Sequence, residues 1–466
     1  MHTSCEFDKI QSRLDSVLGL QRTMSRDSIV SFAGSINTKK AYKKFCKGLF
    51  SIGVTAEMIH QKESEIQDIF KHQNPAASNQ IDDSTSADPN PAPHPQLPEV
   101  GNSSNAENLP IPSLLTENEP KVRSRTRWVR PPIDFLVGPL MLSAAMAGNT
   151  QRLVSILEYV RNINYVDSWG ETALHNAAGQ GHNDIVQLLL SRGASIEAMN
   201  SSNWTPLHYA AYCGHTSTVE LLLSKGASVE AISKNNKTPL HLAAENGHTS
   251  IVQLLLSRGA SIEAMSLINQ TPLHCAAKNG HTRIVQLLLS RGASIEAMNS
   301  SNLTPLHYAV WFGHTSTVEL LLSKGASIEA INNTPLHLAA ENGHTSIVQL
   351  LLSRGASIDA MNHHNETPLL YAANRGHTST AELLLAQGAS VEAKDKDGDT
   401  PLHEAARCGS TSTVELLLSK GASVAPVNRK NETPLDLATL GRHTDAINLL
   451  KNELVSPRDI QTVSQK

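Results

Sequence analysis

Thr205-Pro206-Leu207-His208-Tyr209-Ala210-Ala211-Tyr212-Cys213-Gly214-His215 is the stretch from which the chain can be read. Its opening returns as Thr238-Pro239-Leu240-His241, Thr271-Pro272-Leu273-His274 and Thr304-Pro305-Leu306-His307, 33 residues apart each time. Altered copies begin at Thr172, Thr334, Thr367, Thr400 and Thr433. A fixed period of this length marks a chain built from stacked copies of one small unit. Thr205 is placed to cap a helix and Pro206 to open it, where a missing N–H costs nothing. Leu207, Ala210 and Ala211 give that helix an apolar side, and Gly214 supplies a left-handed stop. A second helix follows from Thr216, with Val219, Leu222 and Leu223 on one face, and stops at Gly226. One such unit buries too little apolar surface to offset the entropy of ordering its residues, so only stacking makes it stable.

With its T-P-L-H-x-A-A and G-H signatures, the repeat resembles the ankyrin repeat, over roughly 139 to 453. The expected fold is an all-α-dominated solenoid of ten units starting near 139, 172, 205, 238, 271, 304, 334, 367, 400 and 433. The first and last units are atypical: Pro139 opens a unit without T-P-L-H, and Thr433-Pro434-Leu435-Asp436 opens the last. The resemblance implies a β-hairpin finger between units and a concave groove that grips partner proteins. It also implies that the T-P-L-H histidines hydrogen-bond within and between repeats. The turn position at which the family usually has Gly holds Gly170 and Gly398, and elsewhere Asn203, Asn236, Asn269, Asn302, Asn365 and Asn431. Asn tolerates the left-handed region best of the non-Gly residues, so these turns are expected to persist. The connector from Glu329 to Thr334 is three residues short, which predicts a stunted finger there.

Outside the array the expectations are coarser. Residues 1 to 72 read as a small helical region, best seen at Asn37 to Gly53. There Tyr42, Phe45, Cys46, Leu49 and Phe50 form one helical stripe among five lysines. Residues 73 to 132 read as a disordered linker holding 11 of the chain's 22 prolines. It ends in a basic cluster from Lys121 to Arg130 that could act as a nuclear-import signal. Residues 133 to 455 are assigned to the array and 456 to 466 to a tail.

The net charge of −4 over 466 residues sets up no strong field for nucleic acid. Five cysteines, without a C-x-x-C pair, favour an intracellular, cytoplasmic or nuclear setting. The N-terminus shows no signal-peptide pattern, and no apolar run is long enough to span a membrane. No P-loop, G-x-S-x-G, G-x-G-x-x-G or H-E-x-x-H occurs, so the reading is a non-enzymatic chain with no catalytic, metal or cofactor site. Its partners are expected to be proteins, not small molecules or nucleic acid, and the chain is expected to be a monomer.

Residues 185 to 231 recur as 284 to 330, with five differences in 47 positions. The differences are Trp204/Leu303, Ala211/Val310, Tyr212/Trp311, Cys213/Phe312 and Val229/Ile328. Four of the five fall at one finger position and at the end of the first helix, where the resemblance places the groove. Large exposed aromatics are enriched at interface hot spots. Trp169, Trp204, Tyr212, Cys213, Leu303, Trp311 and Phe312 are therefore candidate partner-binding residues, in two zones about three repeats apart. The leading expectation is a protein-interaction scaffold. The alternatives are a nuclear transcription coregulator and a substrate adaptor for a degradation machine.

Overall fold

The computed structural model describes residues 54, 134–329 and 334–455. The N-terminal helical region (Val54 aside), the proline-rich linker, the tail and the shortened connector's residues 330–333 lie outside the described residues. Contacts divide the chain into two compact units, 1–141 with 151–162, and 142–150 with 163–466. Among the described residues of the first, Leu136, Val137, Leu140, Leu153 and Ile156 are buried. There the Asp134 carboxylate accepts from the backbone N–H groups of Arg161 and Asn162, at 2.9 and 3.2 Å. The helix Asp134–Met146 holds Pro139 inside it, whereas in later units the proline opens the first helix.

The described residues contain twenty helices and no strand. Within the second unit the helices alternate, a first helix such as Pro206–Cys213 followed by a second such as Thr216–Ser224. Each first helix from Pro206–Cys213 to Pro401–Cys408 packs on its own second helix and on the first helices before and after it. Leu207, Ala210, Ala211, Val219 and Leu222 are buried, as their spacing predicts, while Leu223 is half-buried. Alanine at the contact allows close approach of neighbouring helices.

The T-P-L-H box explains where the first helices that carry it start. Thr205 is extended at φ −94° and ψ 166°, and Pro206 follows at the first helical position. The Thr205 backbone N–H donates to His208 Nδ1 at 3.1 Å. Nδ1 therefore accepts, and the ring proton sits on Nε2. Nε2 donates to the Lys237 carbonyl, directly before Thr238 of the next unit, at 3.1 Å. His175, His241, His274, His337 and His403 repeat this bond to a carbonyl 29 residues on, at 2.9 to 3.1 Å. One side chain thus caps its own helix and ties the next unit to it.

The connectors are tight turns. Asn203, Asn236, Asn269, Asn302, Asn365 and Asn431 all take positive φ, between 54° and 59°, alongside Gly170 and Gly398. Successive connectors touch through single backbone bonds: Ser201 N–H to the Trp169 carbonyl, Lys234 to Ser202, Leu267 to Asn235 and Ser300 to Ile268, at 2.8 to 3.1 Å. One such bond per junction joins neighbouring fingers without making a β-ladder. The expected hairpin finger therefore takes the form of a turn among the described residues. A second tie runs beneath. Glu197, Glu230, Glu263 and Glu296 each accept from the backbone N–H of a serine 31 residues on, at 2.6 to 2.8 Å.

Candidate functional site

The candidate residues occupy two kinds of position, the connector turn and the end of the first helix. Trp169 lies in the turn that the Asp167 carboxylate closes, where Oδ1 accepts from the Trp169 N–H at 2.8 Å. Trp169 is 61% exposed. Trp204 lies one connector on, where buried Asn200 organises the turn. Asn200 Oδ1 accepts from the N–H groups of Ser202 and Trp204 at 2.9 Å, and its amide donates to the Tyr209 hydroxyl at 3.1 Å.

The ends of the first helices are pinned by histidines of the following unit. His248 Nε2 donates to the Tyr212 carbonyl at 2.9 Å, and His344 Nε2 to the Trp311 carbonyl at 3.1 Å. The His248 ring reaches that carbonyl across Gly214, which takes φ +87° and whose absent Cβ would lie 2.5 Å from the ring. With the backbone held this way, the side chains at 212 and 311 point outward: Tyr212 is 37%, Trp311 44% and Phe312 47% exposed.

Around Trp204 the rings gather. Its centroid lies 5.3 Å from that of Tyr209 and 5.4 Å from that of Tyr212, and it stacks on His208 at 6.1 Å. Such pairs contribute about 0.5–1.5 kcal/mol beyond their area. At the second zone Leu303 takes the place of Trp204 and is half-buried. Phe312 stacks on His314 at 6.5 Å, and the Lys278 ammonium lies 5.8 Å from the Phe312 centroid. Cys213 is half-buried, and burial pushes its thiol pKa up, away from a reactive thiolate. Trp204 thus gathers both Tyr212 and Tyr209 around it, the latter a residue the sequence reading did not single out.

The sequence reading also passed over a row of exposed apolar side chains on the connectors. Met199, Ile232, Met265 and Met298 recur 33 residues apart. Their exposures run from 43% at Met298 to 57% at Met265. The signal was available, since each stands at the same register of its connector. Farther along, the carboxylates of Asp395, Asp399 and Glu404 lie within 4.8 Å of one another. The Arg407 guanidinium pairs with both Asp399 and Glu404. Burial alone would raise the Asp399 pKa, but hydrogen bonds from Arg407 and Asn428 outweigh it and hold that carboxyl below its usual range. Asp399 and Glu404 thus share one guanidinium, while burial holds the Asp395 carboxyl above its usual range.

A family model described as ankyrin repeats, three copies, matches in overlapping segments from 140–233 to 369–460 and so covers 140 to 460. The chain belongs to the ankyrin-repeat family. A 60-residue segment is 43% identical to the 60 kDa lysophospholipase of Mus musculus, covering 13% of this chain and 11% of that protein. That segment is shorter than two ankyrin periods of 33 residues, and the chain spans about a tenth of its relative. The activity in that name belongs to the mouse protein. No helix among the described residues is long and apolar enough to cross a membrane.

Proposed function

We propose that this chain is a non-enzymatic scaffold that binds partner proteins along the face formed by its connector turns and first-helix ends. Ankyrin repeats point to protein–protein interaction as the general class. The observation that carries the finer reading is the exposure of Trp311 and Phe312 on a helix end whose Trp311 carbonyl is held by His344 of the next unit. Large apolar rings held out on a rigid frame bind at low entropic cost. The array is read as ten units, each a helix pair with a finger, acting as a monomer inside the cell. Trp169, Trp204, Tyr212, Cys213 and Leu303 are assigned to the same face, with the ring cluster at Trp204 as the first anchor zone and Trp311 with Phe312 as the second.

The test uses the full chain immobilised as bait, with Trp311→Ala/Phe312→Ala beside the wild type. The double variant is expected to lose a defined set of captured proteins while its thermal midpoint stays nearly unchanged. An unaltered set of partners, or a large drop in midpoint, would overturn the assignment.

A further inference from the structure

Met199, Ile232, Met265 and Met298 stand on four consecutive connectors, each directly before the buried residue that opens the turn: Asn200, Ser233, Ser266 and Asn299. Two residues before each apolar side chain comes an acidic one, Glu197, Glu230, Glu263 or Glu296. Each carboxylate is held by a serine N–H of the next unit at 2.6 to 2.8 Å. Two residues of chain span at most about 7 Å, so every apolar side chain has a negative charge close beside it. The result is a double row, apolar and acidic, repeating once per unit. Exposed apolar side chains repeated in one row, joined at the third connector by exposed Leu267 and Ile268, form a candidate interaction surface.

We propose that this double row docks an amphipathic α-helix of a partner protein, one that presents an apolar side chain at every seventh residue with lysine or arginine beside it. The inference rests on the scaffold reading and names the chemistry of the partner. Spacing is the first argument. Stacked helices lie about 8–10 Å apart, and an α-helix advances about 10.5 Å in seven residues. The stripe on a straight helix drifts about 20° per heptad, hence about 60° over three intervals, and so remains within one helix face of about 100°.

Charge is the second argument, since the acidic row complements a basic flank and repels an acidic one. The third is the state of the connector backbone. An extended peptide binds by pairing with free N–H and C=O groups. At 200–204 every N–H is already committed: Asn200 to the Trp204 carbonyl, Ser201 to Trp169, Asn203 to the Asn200 carbonyl, and Ser202 and Trp204 to Asn200 Oδ1. The carbonyls of Trp169, Ser202, Asn235 and Ile268 accept from the next connector. A helix satisfies its own backbone and needs only side-chain contacts.

The probe is a synthetic three-heptad peptide with leucine at every seventh position and lysines beside it. The control is a peptide of the same composition with leucine at every third position and a central proline. The full chain is expected to bind the first, and to raise its helical circular dichroism, while leaving the control free. Ile232→Glu/Met265→Glu should weaken binding by about tenfold or more. Ile232→Ser/Met265→Ser, which adds no charge, should weaken it less, with the thermal midpoint kept in both. Tighter binding of the control, equal binding by the Glu variant, or preferential binding of the chain to phosphatidylserine vesicles would overturn the proposal. Failure here with aromatic-dependent capture intact sinks the helix and spares the scaffold; loss of that capture as well sinks both.

Discussion

The segments 200–213 and 299–312 are near-copies that carry different surfaces. In both, a buried Asn accepts two backbone N–H groups at 2.8 to 2.9 Å and donates to a tyrosine hydroxyl, at 3.1 Å from Asn200 and 2.9 Å from Asn299. In both, a left-handed Asn follows, Asn203 at φ 58° and Asn302 at φ 58°. Yet Trp204 draws Tyr209 and Tyr212 into one cluster, whereas Leu303 leaves Trp311 and Phe312 standing apart. The backbone is determined by buried polar groups that did not change on duplication. The surface was therefore free to change, and four of the five substitutions fall on the candidate face or beside it. A frame held from within can carry unlike contact surfaces at little risk to folding.

The largest way to break the comparison is to attack what the two segments share. Burial lowers the pKa of His208 from its ordinary 6.5 to about 4, and of His241 likewise to about 4. Burial also lowers His175, His274, His337 and His403. These rings must stay neutral because Nδ1 accepts the threonine N–H. Below pH 6.5 the unfolded chain takes up protons that the folded chain refuses until about pH 4. Stability is thus complete above about pH 6.5 and falls as pH drops towards 4, by several kcal/mol summed over the ladder. Denaturant titrations at stepped pH should show this slope. A flat profile between pH 7 and 4.5 would mean that the boxes are not closed in solution.

A smaller effect is expected from Asn200→Ala and Asn299→Ala. Each leaves two connector N–H groups and a tyrosine hydroxyl without the partner described above, at a cost of about 1–3 kcal/mol. The connector bonds of the two match, so their losses in urea unfolding should agree within about 0.5 kcal/mol apart from the tyrosines. A larger gap would report the tyrosines' different second partners, Tyr209 donating to Glu171 and Tyr308 accepting from Gln270.

The same division explains what could be read in advance. T-P-L-H, the Asn or Gly turn position and the stop glycines were legible because each is dictated by local backbone need: a cap, a missing N–H, a positive φ. The hairpin finger was expected from the resemblance alone, which gives no bond count, and the described residues show one backbone bond per junction and no strand. Tyr209 escaped notice because its role depends on where the preceding connector folds back, a tertiary fact. Met199, Ile232, Met265 and Met298 were visible at their period, but a flexible aliphatic side chain gives a weaker sequence signal than a tryptophan. Cys213, grouped with the aromatics because it varies with them, proves half-buried with a raised thiol pKa.

The finest test converts one segment into the other. Trp204→Leu installs the residue that position 303 already tolerates, so the backbone should be undisturbed. What is removed is the ring's contact with Tyr209 and Tyr212, at centroid distances of 5.3 and 5.4 Å. The stability loss should be about 1 kcal/mol. In a double-mutant cycle with Tyr212→Ala, the coupling should be about 0.5–1.5 kcal/mol. The Tyr212 ring, freed from Trp204, should become more accessible to a tyrosine-modifying reagent. A coupling near zero would mean that the cluster is mere proximity, and that the first zone offers separate rings as the second does.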